Sequence, residues 1–378
     1  MPCVLLAVSL SSLAVLCVWQ HIPMVDVLVY RAEGEAVARG GDLYGFTVTE
    51  WRLPATYPPF AAVLFVPTTW IPVPALKLAF LAGNVLLLAR LVTLSARLAA
   101  RSLPLPALCT VTALALWLEP VFQTLLFGQI NLAIACLVLW DLTRPPGARA
   151  KGAAVGIAAG IKLTPAVFVV YLFLTGRRRE AVTATAAFAA SVALAALALP
   201  TASTGFWTRH LYETDRVGRS WIVDNQSLRG LVARALGDPA PGLVWLLPAA
   251  AVGVAGLWLA ARAREDRWGI LLTAFTALLV CPISWSHHWV WCVPLIAVLL
   301  AEGRIRLAAV TAAVFTARTM WLVPHEGDLD LRLPWWQQPS AAPYPLLGLA
   351  LLALYAVLST TTPGDEYAHR GPGVPRRA

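Results

Sequence analysis

The sequence predicts an all-α integral membrane protein, a multi-spanning bundle of about ten to twelve transmembrane helices whose outward loops form the working site. Three observations carry that prediction. Of 378 residues, 59% are hydrophobic and 13% charged, with a mean hydropathy of +0.70, whereas soluble domains are roughly 25% charged. Apolar runs close to the roughly 20 residues needed to cross a bilayer core recur along the chain. Arginines and lysines gather in alternate short connectors, as the positive-inside rule requires.

The runs lie near 4–19, 76–97, 104–120, 126–143, 181–200, 242–262, 268–283, 286–301, 306–323 and 344–361. The first has no basic flank and no small-residue cleavage site, so it reads as a retained helix rather than a signal peptide. With Arg97/Arg101, Arg144/Arg149/Lys151, Arg177 to Arg179, Arg262/Arg264/Arg267 and Arg304/Arg306 at the cytoplasmic face, the polar loops 20–57, 201–241 and 324–343 all face outward. Two irregularities follow. The proline-rich piece 59–72 dips at the outer surface without crossing. The segment 152–175 has basic residues on both flanks and returns to the side it left, as a helical hairpin or a re-entrant pair broken at "KLTP"; irregular backbone at that depth must be buried in protein or line a cavity. Residues 1–362 read as one transmembrane domain, and 363–378 as a disordered cytoplasmic tail. The net charge of +9 reports orientation, so no nucleic-acid partner is expected. The six cysteines, lacking CxxC or zinc-like spacing, read as small core residues.

Polar residues collect at the outer ends of these runs. In "HIPMVDVLVYRAEGEAVARGGDLYGF", a helix starting near Val25 sets Asp26 and Tyr30 on one face at i,i+4. Asp26 is there either a helix cap or a general base just above the membrane, and Asp42 is a turn residue. In "FGQINLAIACLVLWD", Gln129 and Asn131 either solvate a helix start or bind sugar hydroxyls. Lys162 in "GIAAGIKLTPAVF" costs on the order of 3 kcal/mol at membrane depth. It either snorkels to an interface or is a fixed cation for an anionic lipid headgroup.

The second outer loop sets Arg209, Arg216, Arg219, Arg229 and Arg234 against Glu213, Asp215, Asp224 and Asp238. One or two of its arginines, Arg209 and Arg219 foremost, suit bidentate phosphate binding, and "NQS" adds the amides of Asn225 and Gln226. In "PISWSHHW", His287 and His288 point roughly 100° apart on a helix or tight turn and have no acidic partner nearby, so no metal site is expected. They either form part of an aromatic belt with Trp285, Trp289 and Trp291 or donate to an anion or a sugar hydroxyl.

Six fragments in order, "DVLVYRAEGEAVARGGDLY", "TYPPFAAVLFVP", "FGQINL", "GIAAGIKLTPAVF", "NQSLRG" and "PISWSHHW", resemble the actinobacterial polyprenyl-phosphate-mannose-dependent α-mannosyltransferases of glycosyltransferase family 87. The resemblance spans about Val25 to Trp291. It implies a GT-C membrane fold in the plasma membrane and an inverting transfer of mannose at the extracytoplasmic face. The donor would be a polyprenyl-phosphate sugar, the acceptor a glycolipid or lipoglycan, and the linkage α-(1,2). The family's base matches Asp26. Lys162, His287, His288 and second-loop arginines would then hold the departing phosphate, and Gln129, Asn131, Asn225 and Gln226 the sugar hydroxyls. No cofactor or metal is implied. The chain departs from the family in lacking a basic leader and in its last outer loop, "PHEGDLDLRLPWWQQPSAAPYP", where Trp335 and Trp336 offer stacking surfaces for an acceptor. A secondary transporter would instead show paired halves with polar groups inside its spans. A non-catalytic protein that binds or flips polyprenyl phosphate would differ from the enzyme at Asp26.

Overall fold

Proline and glycine decide where the apolar runs become helices and where those helices break. The computed structural model describes residues 2–19 and 24–361; the expected tail, 363–378, lies outside them. The helices are α1 (Pro2–Trp19), α2 (Val25–Arg39), α3 (Pro59–Phe65), α4 (Val73–Leu98), α5 (Leu105–Ala115), α6 (Glu119–Phe127), α7 (Asn131–Leu142), α8 (Ala153–Ile161) and α9 (Ala166–Leu174). They continue as α10 (Arg178–Ala198), α11 (Pro200–Gly205), α12 (Leu228–Leu236), α13 (Leu246–Ala261), α14 (Asp266–Val280), α15 (Cys292–Ala301), α16 (Ile305–Ala317), α17 (Gln338–Ala341) and α18 (Pro343–Thr361). Among the described residues a single antiparallel strand pair, β1 (Thr47–Val48) and β2 (Leu53–Pro54), lies in the first outer loop. Proline occupies the first turn of α3, α4, α5 and α6, where its missing N–H would be unbonded anyway.

Every apolar run of the sequence coincides with helix, but the ten full crossings do not emerge as ten long helices. Among the described residues, three helices are long and apolar enough to cross a membrane, Val73–Leu98, Arg178–Ala198 and Gly242–Ala261, or four if α5 and α6, bent by 79°, form one span. Composition counts apolar residues whatever their backbone state, so it overlooks the breaks. The run 104–120 bends before Glu119, 268–283 stops at a 15-residue helix, and 286–301 opens as the 3-10 turn Ser286–Trp291 before α15.

The segment 152–175 breaks where expected. Lys162 leaves α8 in an extended conformation and Pro165 starts α9; each half is 9 residues, about 13 Å long, too short to cross. Two devices fix α8. The buried Asp141 carboxylate accepts the backbone N–H groups of Gly152, Ala154 and Val155 at 2.9–3.2 Å, satisfying the start of the helix. Gly152, Gly156 and Gly160 form a stripe against α10, where a Cβ on Gly160 would sit 2.0 Å from Ser191 Oγ; such stripes let membrane helices approach closely.

The main core cluster joins Leu88 and Leu91 of α4, Val138 and Leu139 of α7, Leu271 and Phe275 of α14, and Trp289, with smaller clusters beneath the first outer loop. Leu86, Leu197, Leu247 and Val254 remain exposed on the outer faces of α4, α10 and α13, as suits lipid contact. Of the cysteines, Cys136 and Cys292 are core residues, whereas Cys3 is exposed and Cys281 lines the cavity described next.

Candidate active site

The α8–α9 break and the chain between α14 and α15 meet at one cavity of about 730 Å³. Asp26 sits in the first turn of α2 and does not cap it; the residue before the helix is Met24, at φ +45°, with no side-chain cap. Gly128 sets the distance from α2 to the "FGQINL" segment: it takes the left-handed φ of +72° that ends α6, and a Cβ there would lie 2.2 Å from Val27 Cγ2 of α2. Any side chain at this position would push Gln129 away from Asp26.

Gln129 is buried and fully directed. Its Oε1 accepts both the Tyr30 hydroxyl at 3.0 Å and the Tyr57 hydroxyl at 3.1 Å, which leaves its amide N–H to bond the Asp26 carboxylate. Burial raises the pKa of Asp26 to about 7, against the opposing Gln129 hydrogen bond and Lys162 charge and with a further push from Asp224. A carboxylate tuned to that range can take up a proton at neutral pH.

Lys162 projects from the break between α8 and α9. Its Nζ donates to Asn131 Oδ1 at 2.9 Å and lies 3.0 Å from His288 Nε2, with the Tyr57 ring centroid at 5.5 Å. An ammonium has only donors, so Nε2 of His288 accepts and the proton of the neutral ring sits on Nδ1. Asn131 in turn donates to the His287 carbonyl at 3.0 Å, beside Thr124 at 3.2 Å. This network fixes the ammonium head without neutralising it: among the described residues no carboxylate forms an ion pair with Lys162.

Of the residues singled out from sequence, Asp26, Gln129, Lys162 and His288 line the cavity, while Tyr30 and Asn131 stand behind them as supports. The others are not brought to it. His287 is buried against the Phe127 ring with neither nitrogen hydrogen-bonded, so the adjacent histidines part company, His288 into the cavity and His287 into the core. Trp289 and Trp291 are also core residues, packed on Phe275 and Phe168; neither belt nor sugar wall describes them, and Trp285 alone of the three reaches the cavity.

Asn225 and Gln226 are wholly buried. Asn225 donates to the Ser220 and Pro282 carbonyls and accepts from the Ser284 amide; Gln226 donates to Val223 and Ala341 carbonyls and accepts from the Tyr344 amide. Their amides satisfy backbone groups that water cannot reach, so none remains for a sugar. Arg209 is 72% exposed and paired with Glu213, and Arg219 is exposed and paired with Asp328; neither reaches the cavity. Arg234 is buried and draws together the carbonyls of Trp221, Ile222 and Asn225 at 2.9–3.2 Å, a structural pin for the loop. Trp335 and Trp336 are exposed, away from the cavity lining.

Tyr57, His210 and Asp224 also line the cavity and were not singled out as site residues. Asp224 was visible as one acid among many in a charged loop, and the neighbouring "NQS" was the one signal that its surroundings are special. Among the described residues no group of three or more His, Cys, Asp or Glu is arranged to hold a metal ion.

With this geometry in hand, the family model described as Glycosyltransferase family 87 matches residues 55–284. A polyprenol-phosphate-mannose-dependent alpha-(1-2)-phosphatidylinositol mannoside mannosyltransferase of Mycobacterium tuberculosis is 31% identical over 368 residues, covering 90% of this chain and 86% of that protein. A polyprenol-phosphate-mannose-dependent alpha-(1-2)-phosphatidylinositol pentamannoside mannosyltransferase of Mycolicibacterium smegmatis is 36% identical over 285 residues, covering 73% of this chain and 69% of that protein. Among solved structures, ArnT from Cupriavidus metallidurans bound to undecaprenyl phosphate aligns with a TM-score of 0.43 at 18% identity, covering 94% of this chain and 77% of that one.

Proposed function

Because this chain belongs to glycosyltransferase family 87, we propose that it transfers mannose from polyprenyl-phosphate mannose to a phosphatidylinositol mannoside or related lipoglycan, forming an α-(1,2) linkage at the extracytoplasmic face of the plasma membrane. The observation that carries this reading is one cavity holding a carboxylate with a pKa of about 7, Asp26, within electrostatic reach of Lys162, a cation that no carboxylate among the described residues pairs with.

The acceptor hydroxyl oxygen attacks the anomeric carbon, its proton passes to the Asp26 carboxylate, and the bond from that carbon to the phosphate oxygen breaks with inversion. The electron pair leaves on the phosphate, where the Lys162 ammonium and the Nδ1–H of His288 meet the developing charge. Inversion needs no protein nucleophile. Val25, Val29, Leu163, Val167 and Val280 give the cavity an apolar flank suited to the first prenyl units.

Purified protein in lipid, given radiolabelled polyprenyl-phosphate mannose and a phosphatidylinositol mannoside acceptor, should form labelled product with wild type and none with Asp26→Asn. Equal product from both would refute the base; turnover with glucose but not mannose donors would refute the sugar.

A further inference from the structure

Asp224 is, with Asp26, one of two carboxylates among the described residues that line the cavity, and the transfer outlined above leaves it without a task. Its place is tightly built. The Ser286 amide donates both to the Asp224 carbonyl at 2.9 Å and to Asp224 Oδ1 at 3.1 Å. The next residue, Asn225, forms a β-bridge with Trp285, and Arg234 clamps the carbonyls on either side. Ser286, through its amide and its hydroxyl, is the hydrogen-bonding neighbour that orients this carboxylate, and a carboxylate has lone pairs enough to accept from a ligand as well.

We propose that Asp224 holds the acceptor, its carboxylate accepting a hydroxyl next to the reacting one while Trp285 offers its face to the same sugar ring; this inference rests on the transferase reading above. A carboxylate repels the departing phosphate, so its partner is a hydroxyl-bearing part of a substrate. Asp26, Lys162 and Asp224 line one cavity, and Asp26 feels the charge of both other groups. The base therefore has both the cation and the second carboxylate as neighbours. An inverting displacement puts nucleophile and leaving group on opposite sides of the anomeric carbon. With phosphate at Lys162 and the nucleophile at Asp26, Asp224 is the other carboxylate lining the cavity among the described residues, free to meet the rest of the acceptor. Trp285, bridged to the neighbouring Asn225, lines the same cavity, and an aromatic face beside a carboxylate suits one sugar ring.

Asp224→Asn keeps an oxygen for the Ser286 amide and removes the charge. Initial rates measured with each substrate varied in turn should show the acceptor KM rising about tenfold, the loss of a charged hydrogen bond, with the donor KM within about twofold. A deoxy acceptor lacking the hydroxyl beside the reacting one should slow wild type about tenfold and the variant no further. An unchanged acceptor KM, or an equal rise in the donor KM, would overturn the assignment while wild-type transfer stood. Wild type that transfers no mannose would overturn the transferase reading and this inference with it.

Discussion

The two walls of the cavity use polar residues in opposite ways. On the wall built by α2, Gln129 and Lys162, each polar group is held by its neighbours and keeps an atom facing the cavity: Gln129 is gripped by two tyrosines and still donates to Asp26, and Lys162 is gripped by Asn131 and His288 without losing its charge. On the wall built by the second outer loop, Asn225, Gln226 and Arg234 spend their hydrogen bonds on buried backbone. A polar side chain at a cavity is chemical when its support leaves a face open, and structural when its partners are carbonyls and amides of the chain itself.

The largest effects should come from the first wall, and the pH dependence tests it directly. If Asp26 is the base, kcat/KM measured between pH 5 and 9 should fall on acidification through about 7, because protonating Asp26 removes the proton acceptor. A rate flat across that range would remove Asp26 from the chemistry.

Lys162→Met should lower kcat by roughly 100-fold, the scale expected for losing one electrostatic group at a developing anion. It should also move the acidic limb upward, because Lys162 is one of the influences that hold the Asp26 pKa down. A variant with full rate but weak protein yield would mean that Lys162 only organises the α8–α9 break.

The adjacent histidines sharpen the comparison within two residues. His288→Phe should cost about tenfold in kcat, because it removes the Lys162 partner and the Nδ1–H donor, whereas His287→Phe should keep near wild-type turnover and shift only the thermal midpoint. Equal losses in both would erase the distinction between cavity and core.

On the second wall the expected readout is stability. Asn225→Ala leaves several buried backbone groups without partners and should cost on the order of 3 kcal/mol, seen as a lower unfolding midpoint in detergent, with substrate KM values little changed in the folded fraction. The smallest effect should belong to Arg209→Ala and Arg219→Ala, whose exposed ion pairs are worth about 0–1 kcal/mol; transfer within about twofold of wild type is expected. A tenfold loss would return them to the phosphate site.

Sequence reasoning placed Asp26, Gln129, Lys162 and the histidine pair near one another because each lies at the outer end or the break of an apolar run, where a polar residue is costly and so stands out. It could not sort His287 from His288, or Arg234 from Arg219. Those differences depend on which side of a turn packs inward, and the sequence holds no periodicity across a 3-10 turn or an irregular loop. Asp224 was hidden for the same reason, as one acid in a loop of balanced charges.

Composition, run lengths and the placement of arginine determine that this chain is a helical membrane protein, since burying so little charge in so much apolar sequence leaves few other solutions. Six short fragments in order determine its family. What tertiary structure alone decided is which amides face the cavity and which face the backbone, and that Asp26, Lys162 and Asp224, drawn from segments nearly 200 residues apart, stand around one space. Charge acts through distance, and only folding sets the distances between residues remote in the chain.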